Sequence, residues 1–340
     1  MTVHVRAVGT ALPGPPLSNA RLAAHFGTNE AWVQWADTFI GTRTRHLSVD
    51  LDTGTVRTDL AGLAATAGGR ALSAANVAPA EVDVMVLATS TPDALVPATV
   101  TMAAERLGIN DVPAYQLQSG CSGAIQALEL ARRLLEGGAH RTALVLGGDM
   151  CAKHVDLAMD ITELPPAETV STLLFGDGVG AAVLSTADDG EAPELVEAFV
   201  RLTGLGRDPA QVVEWFGAAG NRDGSAPITE DYKAIEANVP AMSAEILAEL
   251  LDRAGWEESD VDYLLPPQLS GRMTERIVEH LGLHGAEEIS CVTETANVGN
   301  ATPFFQLERL LPRIAAGERA LGVAVESSKW IKSGFAVARA

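Results

Sequence analysis

The order of segments in the first half of the chain returns in the second half at a nearly constant spacing. Glu81-Val82-Asp83 recurs as Asp260-Val261-Asp262, Arg133-Leu134-Leu135 as Arg309-Leu310-Leu311, and Arg141 as Arg319, while Cys121 falls opposite Asn300. One triplet match carries little weight, but a shared offset requires the same element lengths on both sides. Solenoid repeats run about 20 to 50 residues. The much longer period here predicts two similar α/β halves.

The local patterns agree. Asp59 to Ala75 is Ala-rich and reads as a helix, followed by the β-branched run from Val82 to Ala88 as a buried strand. Ala114 to Leu117 reads as a strand, Ala124 to Gly137 as a helix and Thr142 to Gly148 as another strand. Such alternation predicts a layered α/β fold with a largely parallel sheet. The first half is read as residues 1–185 and the second as 232–340. Residues 186–231 form a loop-rich connection with Gly204, Gly206, Gly217, Gly220 and the turn Asn221-Arg222-Asp223-Gly224.

Acidic side chains outnumber basic ones 44 to 24, a formal net charge of −20. Such a surface repels phosphate backbones and anionic lipid, so neither nucleic acid nor membrane is expected as a partner. The three cysteines, Cys121, Cys151 and Cys291, do not make a disulfide framework and fit a reducing compartment, so a cytoplasmic location is expected. Cysteines and histidines show no ligand-like spacing, and no metal site is expected.

Gln118-Ser119-Gly120-Cys121-Ser122-Gly123 lies between a predicted strand and a predicted helix. Small neighbours permit a tight turn that places the thiol at a helix N-terminus, which is expected to favour thiolate. A nucleophile on such a turn suits acyl transfer. Phe175-Gly176-Asp177-Gly178-Val179-Gly180-Ala181 lacks the Lys-Ser/Thr of a phosphate-binding loop and runs into a strand, so close backbone packing beside a site is expected instead.

These segments together resemble the thiolase-fold family, specifically β-ketoacyl-acyl-carrier-protein synthase III. The resemblance extends through Gly9-Thr10-Ala11-Leu12-Pro13, Trp35, Gly41 to His46, Ala88 to Asp93, Pro97-Ala98-Thr99, the Cys121 turn, Phe175 to Ala181, and Val298-Gly299-Asn300-Ala301-Thr302. It implies a duplicated five-layered αβαβα fold and a homodimer. It also implies ping-pong transfer, in which an acyl group from coenzyme A or an acyl carrier protein is loaded onto Cys121 and passed to a small-molecule acceptor. No tightly bound cofactor is implied. By position, the Cys121 N–H would belong to an oxyanion hole and Asn300 would be catalytic. Trp35 would flank the coenzyme A adenine, Lys153 would contact the cofactor, and Val96 would enter the partner's acyl tunnel.

Two departures shape the functional expectation. The family's His in a Pro-His-Gln segment is replaced in Pro266-Pro267-Gln268, and proline neither donates a hydrogen bond nor exchanges a proton. Losing one charge-stabilising donor typically costs ~10²–10³ in rate. The family's glycine-rich C-terminal loop is replaced by Glu326-Ser327-Ser328-Lys329-Trp330. Pro267 and Ser328 therefore mark the altered substrate edge, with Glu326 or Lys329 as candidate acid–base groups. The expected activity is transfer of the acyl group from Cys121 to an oxygen or nitrogen nucleophile in specialised-metabolite biosynthesis. Decarboxylative carbon–carbon condensation and a non-catalytic partner subunit are the alternatives.

Overall fold

In a computed structural model of the chain, which describes residues 1–154, 157–162, 164, 169–187, 190–214 and 228–340, ten strands hydrogen-bond in one continuous order. They are β1 (His4–Ala11), β2 (Val84–Ala88), β3 (Ala114–Leu117), β4 (Thr142–Asp149), β5 (Gly178–Ser185), β6 (Glu194–Leu202), β7 (Tyr263–Leu265), β8 (Glu287–Glu288), β9 (Arg319–Glu326) and β10 (Ile331–Ala338). The order is β8-β7-β9-β10-β6-β1-β5-β4-β2-β3. Read outward from the centre, β1-β5-β4-β2-β3 on one side is matched by β6-β10-β9-β7-β8 on the other. The halves meet where β1 and β6 pair at His4 and Glu194.

Six helices cover these strands: α1 (Leu60–Ala75), α2 (Thr99–Leu107), α3 (Gly123–Glu136), α4 (Tyr232–Ala254), α5 (Gly271–Leu281) and α6 (Thr302–Leu310). The layers follow from period-two alternation. In β2, Val84, Val86 and Ala88 belong to a central cluster with Ala124, Ile125 and Leu128 of α3, whereas Met85 and Leu87 belong to an outer cluster with Leu63, Ala67 and Ala71 of α1. In the second half, Ala320 joins the central cluster with Phe304 and Leu307 of α6, while Leu321, Val323 and Val325 join Ile246 and Leu250 of α4. Helices α3 and α6 thus fill the middle layer of an αβαβα stack, and the thiolase-fold architecture stands.

The repeated Asp also does the same job twice. Asp83 Oδ2 accepts the N–H groups of Arg141 and Thr142 at 2.7 and 2.9 Å, and Asp262 Oδ2 accepts the N–H of Arg319 at 2.8 Å. Each carboxylate ties the start of one strand to the start of its neighbour.

Two features differ from the sequence reading. The sheet is mixed: β2 pairs in parallel with β3 and β4, but β4–β5, β5–β1, β9–β10 and β10–β6 are antiparallel. The short turn between β9 and β10 permits no other orientation. Strand β6 lies within residues 186–231, so the region read as a connection contains the first strand of the second half in the sheet. Gly217, Gly220 and the Asn221–Gly224 turn lie outside the described residues.

The glycine-rich segment is a packing device. A Cβ on Gly176 would lie 2.5 Å from the Thr295 carbonyl oxygen, and one on Gly180 would strike the fully buried Phe304 of α6. Asp177 fixes the segment by accepting the N–H groups of Ser48 and Ala152 at 2.7 and 3.0 Å. Gly180→Ala is expected to destabilise the protein by about 1–3 kcal/mol through overpacking. A lowered urea midpoint would show it, and an unchanged midpoint would mean that Phe304 yields freely.

Candidate active site

The turn that carries Cys121 is built twice, and its two copies face each other. Gly120–Ser122 and Gly299–Ala301 are both single 3₁₀ turns leading into the central helices α3 and α6. Gly120 and Gly299 take positive φ angles of 51° and 54°, a region that favours glycine. Cys121 follows the first and Asn300 the second.

A carboxylate from the end of a strand in the opposite half rests on each turn. Asp149, closing β4, accepts the Asn300 backbone N–H and Asn300 Nδ2, both at 2.8 Å. Glu326, closing β9, accepts the Cys121 backbone N–H through Oε2, and its Oε1 accepts the Ser328 N–H at 2.7 Å. Side chains at Gly299 or Gly120 would collide with Asp149 and Glu326 respectively. The two contacts cross: each half supplies the acceptor for the other half's turn.

Asp149 is enclosed and also accepts the Ser90 N–H at 2.7 Å and the hydroxyls of Thr89 and Thr91 at 3.2 and 3.3 Å. Burial still raises its carboxyl above the ordinary range, although these bonds act to lower it. Asn300 is fully buried behind Gly123, and its Oδ1 has no partner.

The expected thiolate is not what the surroundings favour. Burial pushes the Cys121 thiol well above its usual range, and the Glu326 and Asp149 carboxylates add to the rise, as does a hydrogen bond to Glu326. The start of α3 is outweighed because the free N–H of the turn already serves a carboxylate. The turn places the thiol, but nothing near it in sequence shows which distant carboxylates surround it.

Two cavities meet at Cys121. One is lined by Cys121, Pro267, Thr302, Gln211, Glu230 and Tyr232 among others. The second is lined by Cys121, Cys151, Asp149, His154 and Glu326 among others. Pro267 thus lines a cavity with Cys121 and is buried, with its carbonyl accepting the Thr274 hydroxyl at 2.9 Å. Ser328 lies one residue beyond the lining residue Ser327 and acts through its amide on Glu326.

The remaining expected site residues lie elsewhere. Lys153 Nζ donates to the Thr91 carbonyl at 2.9 Å, to that of Pro92 at 3.3 Å, and to Asp93 Oδ1 at 3.1 Å, bracing that loop. Lys329 Nζ donates to the Arg207 carbonyl at 2.9 Å. Trp35 ends the short helix Glu30–Trp35, half-buried, with its ring centroid 6.4 Å from that of the exposed Phe39. Val96 is 87% exposed beside Leu95. Asn300 does not line either cavity.

Asp149, Gln211, Glu230 and Thr302 were not singled out from the sequence. Asp149 had a signal, since it occupies the place in β4 that Glu326 occupies in β9. Thr302 lay inside the quoted Val298–Thr302 segment. Gln211 and Glu230 sit in the non-repeating region, which offers no internal counterpart.

Comparison with known proteins fits this geometry. Residues 115–201 match the family model for 3-oxoacyl-[acyl-carrier-protein] synthase III, and residues 251–327 match the model for its C-terminal part. A β-ketoacyl-[acyl-carrier-protein] synthase III of Streptomyces coelicolor is 31% identical over 321 residues, covering 92% of this chain and 90% of that protein. The solved structure of a tetronic acid condensing enzyme superposes with a TM-score of 0.97 at 59% identity, covering 99% of this chain and all of that one. The synthase III of Pseudomonas aeruginosa PAO1 superposes with a TM-score of 0.84 at 27% identity, covering 100% of this chain and 98% of that one. With a duplicated fold, a cysteine on the first of two facing turns and relatives matched along nearly its whole length, the chain belongs to the β-ketoacyl-acyl-carrier-protein synthase III family.

Proposed function

We propose that the protein joins two acyl thioesters into a tetronic acid ring, using Cys121 as a covalent acyl carrier. The observation that carries this reading is the contact of Glu326 with the Cys121 amide where two cavities meet, one lined by Glu326 and the other by Pro267, which stands where the family resemblance places a histidine. The high similarity to a tetronic acid condensing enzyme supports it.

A tetronic acid is a five-membered enol lactone. Where the carbon between its two carbonyl positions bears an acyl group, cutting the ring at one carbon–carbon bond and at its ester bond leaves an α-hydroxyacyl unit and a β-ketoacyl unit. Neither disconnection requires loss of carbon dioxide, so a histidine that stabilises a decarboxylation enolate has no task.

The steps balance as follows. Cys121 attacks the α-hydroxyacyl thioester, Glu326 takes the thiol proton, and the carrier thiol departs with a proton. Once neutral, Glu326 is a weaker acceptor for the Cys121 N–H, which is then free to bind the oxyanion. Glu326, having passed its proton to the departing carrier thiol, takes a proton from the acidic α-carbon of the β-ketoacyl thioester, and that carbon attacks the acyl-Cys121 carbonyl. A carbon–carbon bond forms, and Cys121 leaves and is reprotonated by Glu326. The α-hydroxyl then attacks the remaining thioester, giving the lactone and the second thiol. Coenzyme A or an acyl carrier protein presents the thioesters.

The exposed Leu95 and Val96 and the sheet-edge strand β3 support a homodimer formed on that side. A non-catalytic partner subunit is the second reading, favoured by the carboxylate resting on the Cys121 amide.

The test supplies an α-hydroxyacyl thioester together with a β-ketoacyl thioester and follows products by mass spectrometry. The expected result is an enol lactone, with little carbon dioxide released when a malonyl thioester is offered instead. Vigorous malonyl decarboxylation would favour ordinary condensation, and inertness toward every thioester would favour the partner subunit.

A further inference from the structure

The cavity that Cys121 shares with Pro267 and Thr302 has a mostly apolar wall interrupted by polar groups. Among its described lining residues Glu230 is the one charged side chain. Glu230 ends the short strand Ile228–Glu230, which pairs antiparallel with Gln211–Val213 so that Glu230 lies opposite Gln211. Gln211 Nε2 donates to Glu230 Oε1 at 2.5 Å. Burial raises the Glu230 carboxyl above its ordinary range, partly opposed by that bond. Tyr232 lines the same cavity, and burial, then the charge of Glu230, push its phenol upward.

Thr302 supplies an independent observation. It is 8% exposed, lines this cavity, and its buried Oγ1 has no partner among the described residues. Neighbouring polar side chains are already committed. Gln268 Oε1 accepts from Ser290, Cys291 and Val292, and Gln306 Nε2 donates to the carbonyls of Pro266 and Ile289. A channel built for a plain alkyl chain gains nothing from a buried carboxyl and an unpaired hydroxyl, each of which costs free energy to bury. A ligand hydroxyl suits either group, because it donates to a carboxylate and accepts from a threonine.

We propose that Glu230 and Thr302, with Gln211 holding Glu230 in position, select a hydroxylated acyl group for transfer to Cys121. The inference rests on the reading of Cys121 as acyl carrier and names the wall that chooses the cargo. The amides of a pantetheine arm offer similar hydrogen-bonding groups, so the test holds the arm constant and varies the acyl group alone.

Lactoyl and propionyl thioesters of pantetheine, and glycolyl and acetyl thioesters likewise, are incubated separately with the full chain. Acyl-Cys121 is followed by intact-protein mass. The hydroxylated member of each pair is expected to load at least about 10-fold faster, since a site built around a hydroxyl disfavours the analogue that lacks it. In Thr302→Val and Glu230→Leu the ratio is expected to fall toward one, with Thr302→Ser restoring it. Thr302→Val preserves side-chain shape, so the outcome stands even if Glu230→Leu fails to fold. Equal loading within each pair by the wild type would overturn the proposal while leaving Cys121 as carrier. Equal slowing of both members in Thr302→Val, with the ratio intact, would also overturn it and assign the wall to the pantetheine arm. Loading by no thioester would overturn the carrier reading and this proposal with it.

Discussion

Cys121→Ala is expected to lose acyl transfer by roughly 10⁶-fold, the scale on which removal of a covalent nucleophile abolishes related chemistry. The wild-type chain should gain one acyl mass at Cys121 and none at the other thiols. Cys291 is fully buried, and burial pushes its thiol up to about 11. Cys151 shares a cavity with Cys121, but burial and the nearby Asp149 and Asp177 carboxylates hold its thiol well above the usual range. Peptide mapping after thioester treatment reads the result. Equal labelling of all three cysteines would remove Cys121 from its role.

Glu326→Gln should divide two reactivities that usually move together. The Glu326 carboxylate is among the causes holding the Cys121 thiol high, after burial. A raised thiol pKa keeps the protonated form to higher pH, so wild-type alkylation by iodoacetamide should climb only as the solution becomes alkaline. Gln removes one of those causes, and the alkylation profile should move toward lower pH. Acyl transfer should change the other way, falling about 10²–10⁴-fold with the loss of the proton acceptor. Gln can still accept from the Cys121 amide through its carbonyl oxygen, so the turn retains a partner. An unchanged alkylation profile would mean that the carboxylate exerts no charge on the thiol. Unchanged acyl transfer would make Glu326 a clamp with no part in proton transfer.

Much of the scaffold was legible because its signals are local or periodic. The Ala-rich run after Asp59 forms α1, with Asp59 capping it by accepting the Gly62 N–H at 2.8 Å. The β-branched run ending at Ala88 forms β2, and the offset between Cys121 and Asn300 marks two matched turns. The electrostatics of the site were not legible in the same way. Glu326 reaches Cys121 across 205 residues of chain, and no pattern around either residue announces the contact. The turn suggested an activated thiol because its neighbours in sequence offer only backbone N–H groups and small residues; the opposing charges, Glu326 from the second half and Asp149 from the end of β4, lie far along the chain. Thr302 was visible as part of a motif, but its unpartnered hydroxyl depends on which bonds its neighbours form. Glu230 adjoins residues without an internal counterpart, so the duplication could not point to it.

The crossed carboxylates also bear on the order in which the chain acquires reactivity. As the polypeptide is synthesised, the Cys121 turn is complete long before β9 exists to deliver Glu326. Asp149 likewise waits for the turn that carries Asn300. A first half standing alone would present a cysteine amide bound to water and a strand-end aspartate with no turn to grip. Neither half contains a finished reaction centre, and halving the gene would not yield two weaker enzymes. The surroundings of Cys121 and of Asn300 are complete only where the two halves dock.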